Sequence, residues 1–343
     1  MRILLLTDPG VPARNGERLR NRLDRRLRSI TGAPTEIATR VQLVPLTVDQ
    51  QLKISGITRI SRENFDADAC IVLTEMPRLR KRRPIVAEVF PADRVAVVSY
   101  SALGPWATRR RCVDTITECV RILRGEGLAP GARPNRRIRR EQIDEDRSVY
   151  TIFAPRFRGP AALVAGMIRS NEPWRTVPRL SSALAAAAAT GAFGIFYNSI
   201  WQMSAILSPT RLTIIVLGAV LILAGWLMVQ NRLWDRPRSE AFSSIVLYYN
   251  ASTLATLLLG MLSIYLILAV IILVCALLVI DPELMSRTVG YRVDFTNYLR
   301  LTVFASAMGL VAGALGSSFD SGTDLRQFTH GRRQRMHVEE DES

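Results

Sequence analysis

Four carboxylates, Asp8, Glu75, Glu88 and Glu118, are the residues through which this 343-residue chain would carry acid–base chemistry. Carboxylates alone can do such work when their surroundings push donor and acceptor roles to different pKa values. Little else can join them. The two histidines, His330 and His337, stand far along the chain, so neither Ser-His-Asp nor Cys-His catalysis, nor a histidine-ligated zinc, is expected in the first 150 residues. There is no P-loop and no G-x-G-x-x-G after the first apolar run, and Asp8-Pro9-Gly10 followed by Gly16 reads as a turn. Cys70, Cys112, Cys119 and Cys275 lack C-x-x-C spacing, which argues against a cysteine zinc site and against a disulfide framework. No cofactor and no metal is expected, and the chemistry points away from an enzyme.

The elements that must position these carboxylates alternate short apolar runs with helical patterns, as an α/β fold does. Strands are expected at residues 3–7, 40–44, 70–74, 85–90 and 95–99, with helices between them. In residues 17–30, Leu19, Leu23, Leu27 and Ile30 recur at helical spacing, while Arg18, Arg20, Arg22, Arg25, Arg26 and Arg28 take the other positions. One face packs and the other is cationic. Residues 107–124 repeat the pattern with Cys112, Ile116, Cys119, Val120 and Leu123, which makes the two cysteines core residues. Residues 127–140 are rich in Gly, Pro and Arg and read as a linker. A short strand is expected at 148–154. Residues 160–168 read as a helix at a membrane surface, because Trp174 and Arg175 suit an interface.

Beyond residue 180 the chain has four uncharged windows, 180–210, 212–231, 241–280 and 301–319. Each is long enough for the roughly 20 apolar residues that a bilayer core requires. The expected architecture is therefore an α/β cytoplasmic domain followed by an α-helical transmembrane bundle of four spans. Residues 1–126 form the cytoplasmic domain, 127–179 a basic linker and interfacial helix, 180–319 the bundle, and 320–343 a cytoplasmic tail. Of the net charge of +15, about +11 falls in residues 1–150, where Lys53 and Lys81 are the only lysines of the chain. Basic flanks stay in the cytoplasm, and the apolar start is too short for a secretory signal. A multi-pass protein of the inner (plasma) membrane with both termini cytoplasmic is expected. The loop carrying Arg232, Arg236 and Arg238 fits that topology, whereas residues 281–300 put Arg287, Arg292 and Arg300 outside against three acids.

At 1.5 Å per residue the third window exceeds one span. It is read as an interfacial entry through Tyr248, Tyr249 and Asn250, followed by a span at 252–280. No ionisable residue falls within the spans, which argues against a pump. Tyr197, Asn198 and Gln202, and likewise Asn250, Ser252 and Thr253, are expected to hydrogen-bond between helices. Ala305, Gly309 and Gly313 place small residues every four positions, a spacing that permits close helix approach.

Two basic runs remain, Arg78, Arg80, Lys81, Arg82 and Arg83, and Arg136, Arg137, Arg139 and Arg140. Few aromatics interleave them, so nucleic acid is not the expected partner. Anionic lipid headgroups are the simpler one. The expected function is a non-enzymatic membrane scaffold or adaptor that contacts lipid and either a protein partner or a second copy. The alternative is an oligomeric channel or lipid-handling protein with the fourth span lining the assembly.

Two resemblances add to this reading. Residues 69–123, with Leu73-Thr74 closing a strand, Val97-Val98-Ser99 and a helix opening at Arg111, resemble the core of archaemetzincin, a zincin-type metallopeptidase family. Laid on that family, Thr117-Glu118-Cys119-Val120-Arg121 takes the place of its H-E-x-x-H, and Glu118 matches the general base. Thr117 and Arg121 stand where zinc ligands should be, so the resemblance implies an inactive, pseudo-zincin relative that captures an extended peptide along an edge strand at 84–90. Tyr249-Asn250-Ala251-Ser252-Thr253 and Gly313-Ala314-Leu315-Gly316-Ser317 resemble segments of four-span actinobacterial membrane proteins with a cytoplasmic α/β domain. That likeness implies a membrane fold and no activity.

Overall fold

The computed structural model describes residues 1–32, 34–43, 54–65, 67–80, 82–106, 108–126, 137–144, 147–173, 181–235 and 243–317. Lys81, Arg136, Trp174, Arg175, Arg236, Arg238, both histidines and the expected tail lie outside them. The chain divides into two compact units.

The first unit comprises Met1–Asn171 with Asp235–Ser252. Its elements are β1 (Arg2–Thr7), α1 (Val11–Thr31), β2 (Glu36–Val41), α2 (Ile54–Phe65), β3 (Ala69–Thr74), β4 (Leu79–Arg80), β5 (Arg83–Phe90) and β6 (Val95–Ser99). A 3-10 turn (Ser101–Leu103), α3 (Thr108–Leu123), β7 (Arg137–Asp144), β8 (Arg147–Phe153) and α4 (Gly159–Asn171) follow. The strands form one sheet in the order β2-β1-β3-β6-β5-β8-β7, with β4 paired to β5. It is parallel from β2 to β6 and antiparallel from β6 to β7.

Covered on both faces, the central strands need apolar residues at consecutive positions, which is why they read as unbroken runs. Ile3, Leu5, Ile71, Leu73, Ala96 and Val98 pack with Leu19, Leu23 and Leu27 of α1 and with Cys112, Ile116, Cys119 and Val120 of α3. The alternate residues Leu4, Leu6, Cys70, Val72, Val95 and Val97 pack with Ile57 of α2. Both expected helical stripes thus face the core, cysteines included, with Leu123 partly buried at its margin and the Ile30 side chain outside those described.

Several expectations change. The second strand begins four residues before its expected position, because β2 pairs in parallel from Arg2↔Glu36 to Thr7↔Val41 and β1 offers no partner beyond. The expected domain end at residue 126 falls inside the sheet. Residues 137–140, read as linker, open β7, which pairs with β8 from Arg137↔Phe153 onward. The expected interfacial helix is α4, and it is a core helix of this unit: Leu163 and Met167 are fully buried. Gly166 sits so close to the 3-10 turn that a Cβ there would collide with the Ser101 carbonyl oxygen. Burial of those two side chains stabilises the docking by about 1.5–3 kcal/mol each.

Among the described residues, the second unit comprises those of Glu172–Trp234 and 253–317. It holds α5 (Ser181–Phe196), α6 (Asn198–Ile206), α7 (Pro209–Gln230), most of α8 (Ser243–Val279), α9 (Pro282–Val289) and α10 (Phe295–Ser317). Among the described residues two helical stretches are long and apolar enough to cross a membrane, Pro209–Gln230 and Ile245–Val279. The first expected span is not one helix, since Tyr197 is extended (φ −100°, ψ 113°) and separates α5 from α6. The third window is not split. α8 runs unbroken for 37 residues, about 55 Å at the helical rise, and its opening turns belong to the first unit, where Tyr249 is buried in the core. Tyr249 is therefore a packing residue rather than an interfacial one.

Candidate functional site

In a doubly wound sheet, ligands bind outside the carboxyl ends of strands where the order reverses. Here that point lies between β1 and β3, since β2 and β3 flank β1 and α1 and α2 cover opposite faces. Two of the four singled-out carboxylates meet there. Asp8 follows β1 and accepts a hydrogen bond from the Thr74 hydroxyl at 2.5 Å. Glu75 follows β3 and accepts one from the Val11 backbone N–H at 2.6 Å, in the first turn of α1. Gly10 makes the approach possible: its φ of +125° suits glycine, and a Cβ would meet Glu75 Oε1 at 2.7 Å. Around them, the Ser101 hydroxyl donates to the Glu75 carbonyl at 2.6 Å and the Ser99 hydroxyl to the Met76 carbonyl at 2.9 Å.

A helix N-terminus at this place is where a ligand's phosphate would sit, held by free N–H groups and the helix dipole. Glu75 puts the chain's own carboxylate there. With Asp8 and Glu75 each only 3% exposed, the crevice is a closed polar network. Beside it Tyr100 is buried, and burial pushes its phenol up to about 12, helped by the charge of Cys112 and opposed by Arg169 and Arg109.

No family model, curated protein or solved structure matches this chain.

The other two carboxylates are elsewhere. Glu88 lies on β5 in an ion pair with Arg78. Glu118 is half-buried on α3; Thr117, one residue before it, donates its hydroxyl to the Val113 carbonyl at 2.8 Å. Among the described residues no group of three or more His, Cys, Asp or Glu could hold a metal ion. The peptide-capturing edge at 84–90 is corrected: β5 lies between β6 and β8, so its backbone groups are already paired, and β2 and β7 are the edges.

The two basic runs come to one end of the antiparallel half of the sheet, because Phe153 pairs with Ile85 on one side and Arg137 on the other. Arg137, Arg139 and Arg140 lie on the edge strand β7. The first run is a hairpin in which Arg80 pairs with Arg83, and most of it is engaged internally. Arg78 neutralises Glu88, Arg80 reaches the Thr151 hydroxyl at 3.4 Å, and Arg83 stacks over the Phe153 ring at 4.7 Å. Arg82, at the turn with φ 61°, is exposed.

The broader cationic surface is α1. Arg14, Arg18, Arg20, Arg22, Arg25, Arg26 and Arg28 are all exposed, and Asp24 within the row is bound to Arg28 at 2.9 Å. The helical spacing announced this face; the densest runs in the sequence drew attention away from it.

In the second unit, Ala305 and Gly309 of α10 pack against α5. A Cβ on Gly309 would meet the Ala187 carbonyl at 2.5 Å, and one on Gly194 would meet the Ala305 Cβ at 2.5 Å. Gly313, one turn on, is buried. Gln202 bonds the Thr288 carbonyl at 3.2 Å, as an interhelical polar group should, and Ser252 in the first unit accepts from Asn171 at 3.4 Å. The charges expected outside are partly satisfied locally: Asp281 caps α9, and Arg287 pairs with Glu283 at 2.6 Å. Arg300 is the residue that the window reading misplaced. It lies within α10 rather than in the preceding loop.

Proposed function

We propose that this chain is a multi-pass protein of the inner (plasma) membrane, a non-enzymatic adaptor whose α/β unit docks on anionic lipid headgroups while its helical unit anchors it. The observation that carries the docking is the arginine face of α1. Arg18, Arg22, Arg25 and Arg26 stand one turn apart and exposed. Like charges at that spacing cost a helix a few tenths of a kcal/mol per pair, a penalty that an anionic surface relieves. The self-occupied α1 N-terminus supports a docking role over phosphoryl chemistry.

Anchoring is supported by the outer surface of the helical unit. Ile214, Leu221 and Ile222 on α7, and Leu266, Val270 and Leu278 on α8, are each more than half exposed, an apolar surface that water disfavours and lipid accepts. We read α5 with α6, α7, α8 and α10 as four crossings with both termini cytoplasmic. The alternative of a channel lined by α10 loses support, because its small residues are spent on α5 within the same chain.

The test uses the full chain in nanodiscs, with Ser29→Cys at the exposed end of α1 labelled by a fluorophore and the unsubstituted chain as control for Cys275. Energy transfer to labelled headgroups should rise with the anionic lipid fraction, fall at high salt, and vanish in Arg18→Glu/Arg22→Glu/Arg25→Glu. Transfer indifferent to both headgroup charge and salt would overturn the docking. Mass spectrometry of the chain extracted from native membranes would identify a protein partner bound in stoichiometric amount.

A further inference from the structure

Arg300 occupies the second turn of α10. A guanidinium in a helix flanked by apolar surface needs a counter-charge or a polar path, and such residues mark sites. Among the described residues it donates one hydrogen bond, to the Ala205 carbonyl at 3.4 Å, which leaves most of its five N–H donors for something else. It borders a cavity of about 460 Å³ whose walls include Leu212 and Val216 of α7, Tyr265 of α8, and Leu299 and Val303 of α10. That volume lies within the roughly 300–1,000 Å³ usual for ligand sites, and one charged group with a few polar ones, here Thr213 and Thr296, among mainly apolar walls is their usual make-up.

The cavity exists because of where the helices close. Ala219, Val220 and Leu223 of α7 meet Ala307 and Leu310 of α10 in a buried cluster, and the cavity lies one to two turns before that contact on both helices. Its rim decides the occupant. Leu299 lines the cavity yet is 45% exposed, so the opening gives onto the same apolar outer surface that we assign to lipid. Leu217, 56% exposed, lines the same opening, so an acyl chain can enter from the side.

We infer that this cleft binds one anionic phospholipid, its phosphate held by Arg300 and an acyl chain laid against Leu212, Val216 and Val303. The planar guanidinium fork matches phosphate oxygens in pairs. The site rests on the membrane reading above.

The test is native mass spectrometry of the full chain, extracted from membranes in mild detergent and offered phosphatidylglycerol or phosphatidylcholine. The unsubstituted chain should retain one phosphatidylglycerol about tenfold better than phosphatidylcholine, because the choline ammonium offsets the phosphate charge that Arg300 would otherwise neutralise, a net-charge difference of about 1.4 kcal/mol. Arg300→Gln should abolish that preference and Arg300→Lys should keep part of it. Val216→Trp, which fills the cavity and leaves the charge, should remove both lipids. Excess inorganic phosphate should not displace the lipid. Equal retention of the two lipids, phosphatidylglycerol retained undiminished by Arg300→Gln, or displacement by phosphate alone would overturn the lipid site. A chain found outside the membrane fraction would instead overturn the membrane reading and the site with it.

Discussion

Glu75 Oε1 lies 2.6 Å from the Val11 backbone nitrogen, so the carboxylate after β3 caps the helix that follows β1. One bond ties the two strands of the switch point together and fills the place where a doubly wound fold receives an anion.

Removing that carboxylate should both weaken and open the site. Glu75→Ala leaves a buried N–H without its acceptor, a loss of about 1–3 kcal/mol, and frees the α1 N-terminus. We expect a lower unfolding temperature for the variant, partly restored by added sulfate or phosphate, whereas the parent chain should not respond to either anion. Scanning calorimetry with and without phosphate checks both halves.

The Arg78–Glu88 pair should behave as a buried ion pair. Arg78 and Glu88 side chains are 21% and 8% exposed, so Arg78→Ala strands a carboxylate on β5 and should cost about 3 kcal/mol. Arg78→Met/Glu88→Leu should recover most of that loss, because the uncompensated charge is gone. A double-mutant cycle in urea would show no coupling if the pair were merely a surface contact.

Glycine-to-alanine changes in the helical unit should have opposite signs at two positions. Gly309→Ala drives a Cβ to within 2.5 Å of the Ala187 carbonyl oxygen and should destabilise by about 1–3 kcal/mol. Gly260→Ala meets nothing within 4 Å and should gain about 0.5–1 kcal/mol through lower backbone entropy in the unfolded chain. Unfolding in mixed detergent micelles measures the two side by side.

Tyr100 should make the α/β unit sensitive to high pH. Its phenol titrates near 10.0 when free and is pushed up to about 12 in the fold, chiefly by burial. Between those values the unfolded chain has released the proton and the native one still holds it, so stability falls as pH rises. The contribution is whole below pH 10 and lost as pH passes 12. Tyr100→Phe should flatten this window and remove one late phenolate component from an ultraviolet titration.

Much of the architecture is legible in local pattern. Leu19, Leu23 and Leu27, and Cys112, Ile116 and Cys119, pack as their spacing required, because a helix face depends only on residues three and four apart. Of the four long uncharged windows, two hold helices that are long and apolar enough to cross a membrane among the described residues, α7 and α8. Charge runs misled where they suggested free surface: Arg78, Arg80 and Arg83 are engaged within the sheet, and the exposed row belongs to α1.

Composition and period settled by themselves that the chain carries an alternating α/β half with amphipathic helices and a helical half with long uncharged windows, and that no histidine falls in residues 1–150. Those properties are local. Only the tertiary structure decided that β5 is interior, that α4 belongs to the core, that Glu75 closes the α1 N-terminus and that Arg300 borders a cavity. Each depends on segments meeting across tens to hundreds of residues, where strand register and helix packing choose the neighbours and no short window of sequence records the choice.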